Sequence, residues 1–115
     1  MAKYILSNKA QYDLERIFQY TEIEFGVSQA ENYLIGIHET LMALSTEPSL
    51  AQDVSDIKPG YSRYIFRKHY IFFKKRANDI FIVRILHQQM KVQLHHDRET
   101  TAALPRDASS NPQPT

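Results

Sequence analysis

The hydrophobic pattern of this chain changes its period once, at Pro59-Gly60. Before that dipeptide, apolar residues recur at steps of three and four, which is the period of amphipathic helices. After it, short runs of aromatic and β-branched residues are separated by turn-like segments, which is typical of strands. Helices followed by a run of strands predict an α+β domain, with an antiparallel helical hairpin packed on an antiparallel β-sheet.

Two helices are predicted in the first half of the chain. A short β-prone run, Tyr4-Ile5-Leu6, precedes Ser7, which is well placed to cap the first helix, and Gly26 ends that helix. Ser28 and Glu31 form a capping box that predicts the start of the second helix. The apolar stripes that we expect to face the core are Ala10, Leu14, Ile17, Phe18, Thr21 and Phe25 in the first helix, and Ala30, Tyr33, Leu34, Ile37, Leu41 and Leu44 in the second.

Three strands are predicted in the second half of the chain. The runs Tyr61–Phe66, Tyr70–Lys75 and Ile80–His87 are rich in aromatic and β-branched residues. Arg67-Lys68-His69 and Arg76-Ala77-Asn78-Asp79 separate them, and both have the length and composition of hairpin turns. The three runs therefore predict an antiparallel meander.

The length of 115 residues predicts one domain. We expect this domain to span residues 1–104, with residues 49–60 as a connecting loop that has room for a helical turn. Residues 88–104 fit either a final helix or an extended arm. Residues 105–115 contain three prolines and no apolar face, so we expect a disordered tail.

Several classes of protein are excluded by the composition. The chain has no cysteine, which excludes disulfides, thiolate zinc sites and cysteine nucleophiles. No segment resembles a signal peptide or a membrane span, so we expect a cytoplasmic protein. His95-His96-Asp97 is a weak metal motif, because adjacent side chains diverge and no further well-spaced ligand is visible. We therefore expect no metal and no cofactor.

Charge is distributed unevenly along the chain. Residues 1–60 carry four Lys/Arg and nine Asp/Glu, whereas residues 61–115 carry ten Lys/Arg and four Asp/Glu. An acidic helical half and a basic strand half indicate that the strands face something negative, either nucleic acid or an acidic protein segment. The alternative is that the two halves pair with each other across the fold.

The most unusual strand is the run from Ile80 to Met90, because Arg84 interrupts its apolar residues. A full positive charge in a buried strand is costly unless it meets an anion or points into a pocket. Arg84 is therefore either part of a site or the salt-bridge partner of a helix carboxylate such as Asp13. His87 is the one residue near Arg84 that could act as a general acid or base at neutral pH.

The sequence resembles the ParE branch of the RelE/ParE superfamily of type II toxins over roughly residues 3 to 92. The resemblance is carried by several short pieces in the right order: Tyr4-Ile5-Leu6-Ser7, Asp13-Leu14, Tyr20-Thr21, Phe25-Gly26, Tyr33, Pro48 and Val83-Arg84-Ile85-Leu86-His87-Gln88-Gln89-Met90. Lys91 stands where that family usually has an acidic residue. In that fold, the N-terminal strand joins the edge of the sheet ahead of the helical hairpin.

The resemblance implies a toxin that inhibits DNA gyrase, which is its target, without being an enzyme itself. It also implies a ParD-like antitoxin as partner, which combines a ribbon-helix-helix DNA-binding domain with a C-terminal segment that wraps the toxin in a hetero-oligomer. The residues that we expect on the functional surface are Arg63, Arg67, Arg84, His87 and Met90.

Two alternatives remain on the same fold. In the RelE branch, basic residues on the sheet hold messenger RNA and neutralise the cleaved phosphate. Arg63 and Arg84 would do so here, and His87 would be the general acid or base. Such ribonucleases generally also need a late tyrosine or a nearby carboxylate, and no tyrosine follows Met90. The other alternative is a non-toxic relative that is kept as an antitoxin-binding module.

Overall fold

The computed structural model describes residues 3–89, which form five strands, two α-helices and one 3₁₀ turn. Predictions for Met90, for the tail 105–115 and for most of the segment 88–104 lie outside these residues. The elements in chain order are strand β1 (Tyr4–Leu6), helix α1 (Asn8–Phe25), helix α2 (Val27–Thr46), the 3₁₀ turn Pro48–Leu50, and strands β2 (Gln52–Asp53), β3 (Tyr61–Phe66), β4 (His69–Lys75) and β5 (Ile80–His87).

The five strands form one sheet in the order β1-β5-β4-β3-β2. Strands β3, β4 and β5 form the antiparallel meander that the sequence predicted, β2 pairs antiparallel with β3, and β1 joins the edge beside β5. That last pairing is parallel, with Tyr4 opposite Ile80, so the sheet is mixed. Parallel neighbours require a long crossover connection, which the helical hairpin and the meander together supply.

The two helices are joined by Gly26 alone. This residue has φ +94°, a conformation that glycine adopts without the penalty paid by other residues. Ser7 caps α1 as predicted, because its side chain accepts a hydrogen bond from the Ala10 backbone N–H at 2.9 Å. The predicted capping box is wrong: α2 already begins at Val27, so Ser28 lies inside the helix and no side chain caps it.

The main core lies between the helical hairpin and the sheet. Its buried residues are Ala10, Ile37, Leu41, Leu44, Ile71, Phe73, Ile80, Ile82 and Ile85. The predicted stripes supply Ala10, Leu14, Ile17, Tyr33, Ile37, Leu41 and Leu44 to this core, whereas Phe25 is 65% exposed at the end of α1. A second cluster packs on the opposite face of the sheet around Val54, Tyr61, Phe72 and Leu86.

The connection between the helices and β3 contains a helical turn, Pro48–Leu50, for which the sequence left room. It also contains β2, a strand of two exposed residues that the sequence did not predict. Gln52 and Asp53 pair with Arg63 and Ser62 of β3. No helix within residues 3–89 is both long and apolar enough to cross a membrane.

Candidate functional site

Arg84 lies beside a bulge in β5. The β4–β5 register places Phe72 opposite Arg84 but Phe73 opposite Ile82, so β5 has one residue more than β4 at this point. The guanidinium of Arg84 binds both carboxylate oxygens of Asp13, with Nε 2.9 Å from Oδ2 and Nη2 3.0 Å from Oδ1. Both side chains are largely buried, at 18% and 9% exposure. This is the bidentate geometry of a strong arginine–carboxylate pair.

Asp13 also completes the hydrogen bonding of β5 where β1 ends. Beyond Leu6 the chain turns into α1, so the outer edge of β5 has no strand beside it after Ile82. Ser7 Oγ donates to the Val83 carbonyl at 2.8 Å, and Asp13 Oδ2 accepts from the Ile85 N–H at 2.9 Å. The start of α1 thus takes the place of a neighbouring strand for three residues of β5. The predicted pairing of Arg84 with the helix carboxylate Asp13 is present in the structure.

Arg63 lies on the face of the sheet away from the helices. Its guanidinium is 4.9 Å from the centre of the Tyr70 ring, a cation–π distance, and Nη2 donates to Gln52 Oε1 at 3.0 Å. Its buried Nε has no hydrogen-bond partner among the described residues. Strand β2, missed from the sequence, therefore helps to hold this arginine.

His87 belongs to a group of three rings on the helix face of the sheet. It is paired across the strands with His69, and the two ring centres are 5.2 Å apart. His69 Nδ1 lies 2.7 Å from the Tyr33 hydroxyl of α2. Burial, together with the neighbouring His87, lowers the pKa of His69 from 6.5 to about 4. His69 is therefore neutral at physiological pH.

The phenol of Tyr33 also has a defined role in this group. Burial raises its pKa, while the backbone of Lys68 and the charge of Arg67 act in the opposite direction. A backbone N–H lowers a phenol pKa by donating to the oxygen. The contact of the Tyr33 hydroxyl with His69 Nδ1 joins α2 to β4.

Arg67 occupies the tight turn between β3 and β4, where it has φ +54°. Its guanidinium lies 5.5 Å from the Phe66 ring centre and 5.8 Å from that of Tyr33. It borders a shallow cavity of about 340 Å³ between α2 and β3. Gly36, which lines this groove, allows Phe66 to pack closely on α2, because a Cβ there would meet the Phe66 ring at 2.9 Å. The remaining lining residues are Glu39, Thr40, Ala43, Leu44, Leu50 and Tyr64.

The predicted site residues do not converge on one point. Arg84 and His87 are three residues apart on β5, about 10 Å along a strand. Arg63 packs over Tyr70 on the far face of the sheet, whereas His87 contacts His69 on the helix face. Arg67 is near Tyr33, next to the histidine pair. Met90 lies outside the described residues.

Two contributors to this region were not predicted as functional. His69 was assigned to a turn, and Tyr33 to the apolar stripe of α2; their proximity depends on the fold and has no local sequence signal. Within residues 3–89, no group of three or more His, Cys, Asp or Glu side chains could hold a metal ion. His95-His96-Asp97 lies outside that range.

Comparison with known proteins assigns the family. The family described as "ParE toxin of type II toxin-antitoxin system, parDE" matches residues 4–92. Toxin ParE1 of Caulobacter vibrioides is 32% identical over 95 residues, which cover 83% of this chain and 98% of that protein. Toxin ParE1 of Mycobacterium tuberculosis is 34% identical over 92 residues, which cover 79% and 94%.

The fold has a counterpart among solved structures. A chain from the chromosomal ParDE toxin–antitoxin system of Pseudomonas aeruginosa superposes with a TM-score of 0.65 at 20% identity, covering 76% of this chain and 96% of that one. At this identity the likeness concerns the fold, and it agrees with the family match in sequence. The chain therefore belongs to the ParE family of toxins from type II toxin–antitoxin systems.

Proposed function

We propose that this toxin acts in the cytoplasm by inhibiting DNA gyrase, and that a ParD-like ribbon-helix-helix antitoxin holds it inactive. The observation that carries the proposal is the family match over residues 4–92, which spans every helix and strand that the structure describes within residues 3–89. Gyrase as the target and the class of the antitoxin follow from the role of that family.

The geometry of the basic residues supports an inhibitor over a ribonuclease. RNA cleavage needs a proton-transfer group and a phosphate-binding cation at the same phosphodiester. Arg84 is engaged by Asp13, and Arg63 lies on the opposite face of the sheet from His87. His69, with its pKa lowered to about 4, stays neutral and bonded to Tyr33. A cleavage mechanism would require these side chains to rearrange.

The groove between α2 and β3 supports the antitoxin half of the proposal. Its lining includes Leu44, Tyr64 and Phe66 together with Arg67. An antitoxin segment with apolar side chains and carboxylates would bury its apolar side chains in the groove. Its carboxylates would pair with Arg67. The basic strand half would also accelerate the association of an acidic partner. We expect association to slow as the salt concentration is raised, and stopped-flow mixing with purified antitoxin measures its rate. A rate that does not depend on salt would indicate docking through apolar contacts alone.

A supercoiling assay with purified gyrase tests the function. The free toxin should reduce supercoiling or accumulate cleaved plasmid, and adding antitoxin first should prevent the effect. In cells, gyrase inhibition should give filaments and a DNA-damage response, whereas RNA cleavage should stop translation within minutes. Unchanged supercoiling, together with cleavage of ribosome-bound message at defined codons, would establish the ribonuclease alternative instead.

A further inference from the structure

The helical hairpin extends past the end of the sheet. Asp13 bonds to Ile85, and β5 ends two residues later at His87, about 7 Å along the strand. Helix α1 continues from Asp13 to Phe25, about 18 Å along its axis. Helix α1 runs in the same direction as β5, since Ser7 bonds to Val83 and Asp13 bonds to Ile85. The last turns of α1 therefore project beyond the end of β5. We call residues 18–32 the hairpin tip.

The hairpin tip exposes four large apolar side chains close together in sequence. Ile23 is 80% exposed, Phe25 65%, Tyr20 61% and Val27 52%. Single exposed apolar residues are normal on protein surfaces, but a concentration of them at one end of a small domain marks an interaction site. The link between the helices is one residue long, so these side chains are presented on a rigid turn.

The hairpin tip also lies within a stretch of sequence whose charged residues are all acidic. Between residues 17 and 57 the chain has seven Asp or Glu and no Lys or Arg. Three of the carboxylates, Glu22, Glu24 and Glu31, belong to the tip. Glu22 and Glu24 lie in the last turn of α1, where no basic residue occurs. The C-terminal end of a helix carries partial negative charge, so carboxylates there disfavour folding. Such a placement points to a role outside the fold.

We propose that the hairpin tip is the surface that contacts the toxin's target, docking its apolar side chains among Lys and Arg side chains on gyrase. The inference rests on the proposed function. An enzyme that handles DNA must present basic surfaces to the phosphates, and these surfaces complement the acidic tip. DNA itself would be repelled by the tip. The groove beside Arg67 is a separate surface, so contact with the target and contact with the antitoxin are separable by substitution.

The decisive experiment compares tip variants with matched variants elsewhere on the same hairpin. Ile23→Lys replaces an exposed apolar side chain of the tip, and Ile35→Lys replaces one of 54% exposure outside it. Glu24→Lys reverses a charge in the tip, and Glu47→Lys reverses one at the far end of α2. For each variant, the toxin concentration that halves gyrase supercoiling is measured, together with antitoxin affinity and the free energy of unfolding.

We expect each tip variant to need at least tenfold more toxin for half-inhibition, while both matched variants stay within twofold of the parent. Antitoxin affinity should be unchanged in all four. Equal potency of tip and matched variants would overturn the inference while leaving gyrase inhibition intact. Failure of the unmodified toxin to inhibit gyrase would instead remove the proposed function, and the inference with it.

Other occupants of the tip give different results in the same set of measurements. Loss of antitoxin binding by Ile23→Lys would assign the tip to the antitoxin. A dimer of the unmodified toxin that Ile23→Lys converts to a monomer in light scattering would assign it to a second copy. A loss of unfolding free energy as large as that of a core substitution would show that the chain itself covers the tip. Each result would overturn the target contact.

Discussion

The two ends of the helical hairpin differ in what holds them, although the same two helices form both. At the base, Ala10 and Leu41 are completely buried against the sheet. At the tip, Ile23 and Phe25 are exposed. The apolar residues at both ends recur with the same helical period. This period shows which face of each helix is apolar, but it does not show how far the sheet extends beneath the helix. The base stabilises the fold, and the tip is left for interactions.

Side-chain bonds to the sheet come from hairpin residues outside the tip. Asp13 of α1 binds Arg84 and the Ile85 N–H. On α2, His38 Nδ1 lies 2.7 Å from the Tyr4 hydroxyl of β1, and Tyr33 bonds to His69 of β4 at the same distance. The hairpin is therefore fixed to three different strands. This anchoring holds the orientation of the tip relative to the basic strands.

The largest loss of stability is expected from removing the carboxylate at the base. Asp13→Ala should lower the free energy of unfolding by about 3–5 kcal/mol, because it removes the carboxylate that pairs with the largely buried Arg84 and accepts from the Ile85 N–H. Urea denaturation measures the loss. Asp13→Asn should cost less, since an amide oxygen still accepts from Ile85. A loss below about 1 kcal/mol for Asp13→Ala would show that water replaces the carboxylate.

A core truncation at the base should cost nearly as much. Leu41→Ala should lower the free energy of unfolding by about 2–5 kcal/mol, because it removes buried methyl groups and leaves a cavity. The residue is 0% exposed and belongs to the main core. Urea denaturation again measures the change. A loss below about 0.5 kcal/mol would contradict the packing of α2 on the sheet.

Acidification should weaken the attachment of α2 to the sheet through His69. The folded pKa of about 4 lies below the unfolded value of 6.5, so the unfolded chain binds the extra proton in this window. The stability that neutral His69 contributes to the fold is therefore complete above pH 6.5, and it is lost as the pH falls through 4. Denaturation curves between pH 7 and pH 4 should show a stability loss that His69→Phe reduces. Parallel pH profiles for the two proteins would contradict the assigned environment of His69.

The smallest effect is expected at the tip. Ile23→Ala should change the free energy of unfolding by less than about 0.5 kcal/mol, the usual range for exposed sites. The side chain is 80% exposed, so truncation removes little buried area. Denaturation alongside Leu41→Ala gives the contrast between base and tip directly. A loss above 1 kcal/mol would mean that the tip is packed and that the two ends are alike.

The strands and helices could be predicted closely from the sequence because their local signals are strong. The runs Tyr61–Phe66 and Ile80–His87 match β3 and β5, and β4 begins one residue earlier than predicted. The exposed pair Gln52–Asp53 has no pattern of its own and becomes a strand only through pairing with β3. Phe25 was misassigned because the sheet stops before the helix does.

The site was less predictable, because its contacts join residues far apart in the chain. Asp13 is a polar residue within the apolar stripe of α1, which is why it could be named as a partner for Arg84. The bulge beside Val83 and the pairing of His69 with His87 depend on strand register, which composition does not reveal. The functional roles of Arg63, Arg67, Arg84, His87 and Met90 stay predictions.

The bond between Tyr33 and His69 gives the molecule an internal spectroscopic reporter. The Tyr33 hydroxyl and His69 Nδ1 are 2.7 Å apart and join two elements, α2 and β4. The ring of His69 also packs edge-on against Tyr33, so its NMR signals report on how α2 packs against β4. It lies between the groove beside Arg67 and the hairpin tip. Its chemical shift would respond to an occupant of either surface, and could distinguish an antitoxin-bound toxin from a target-bound one.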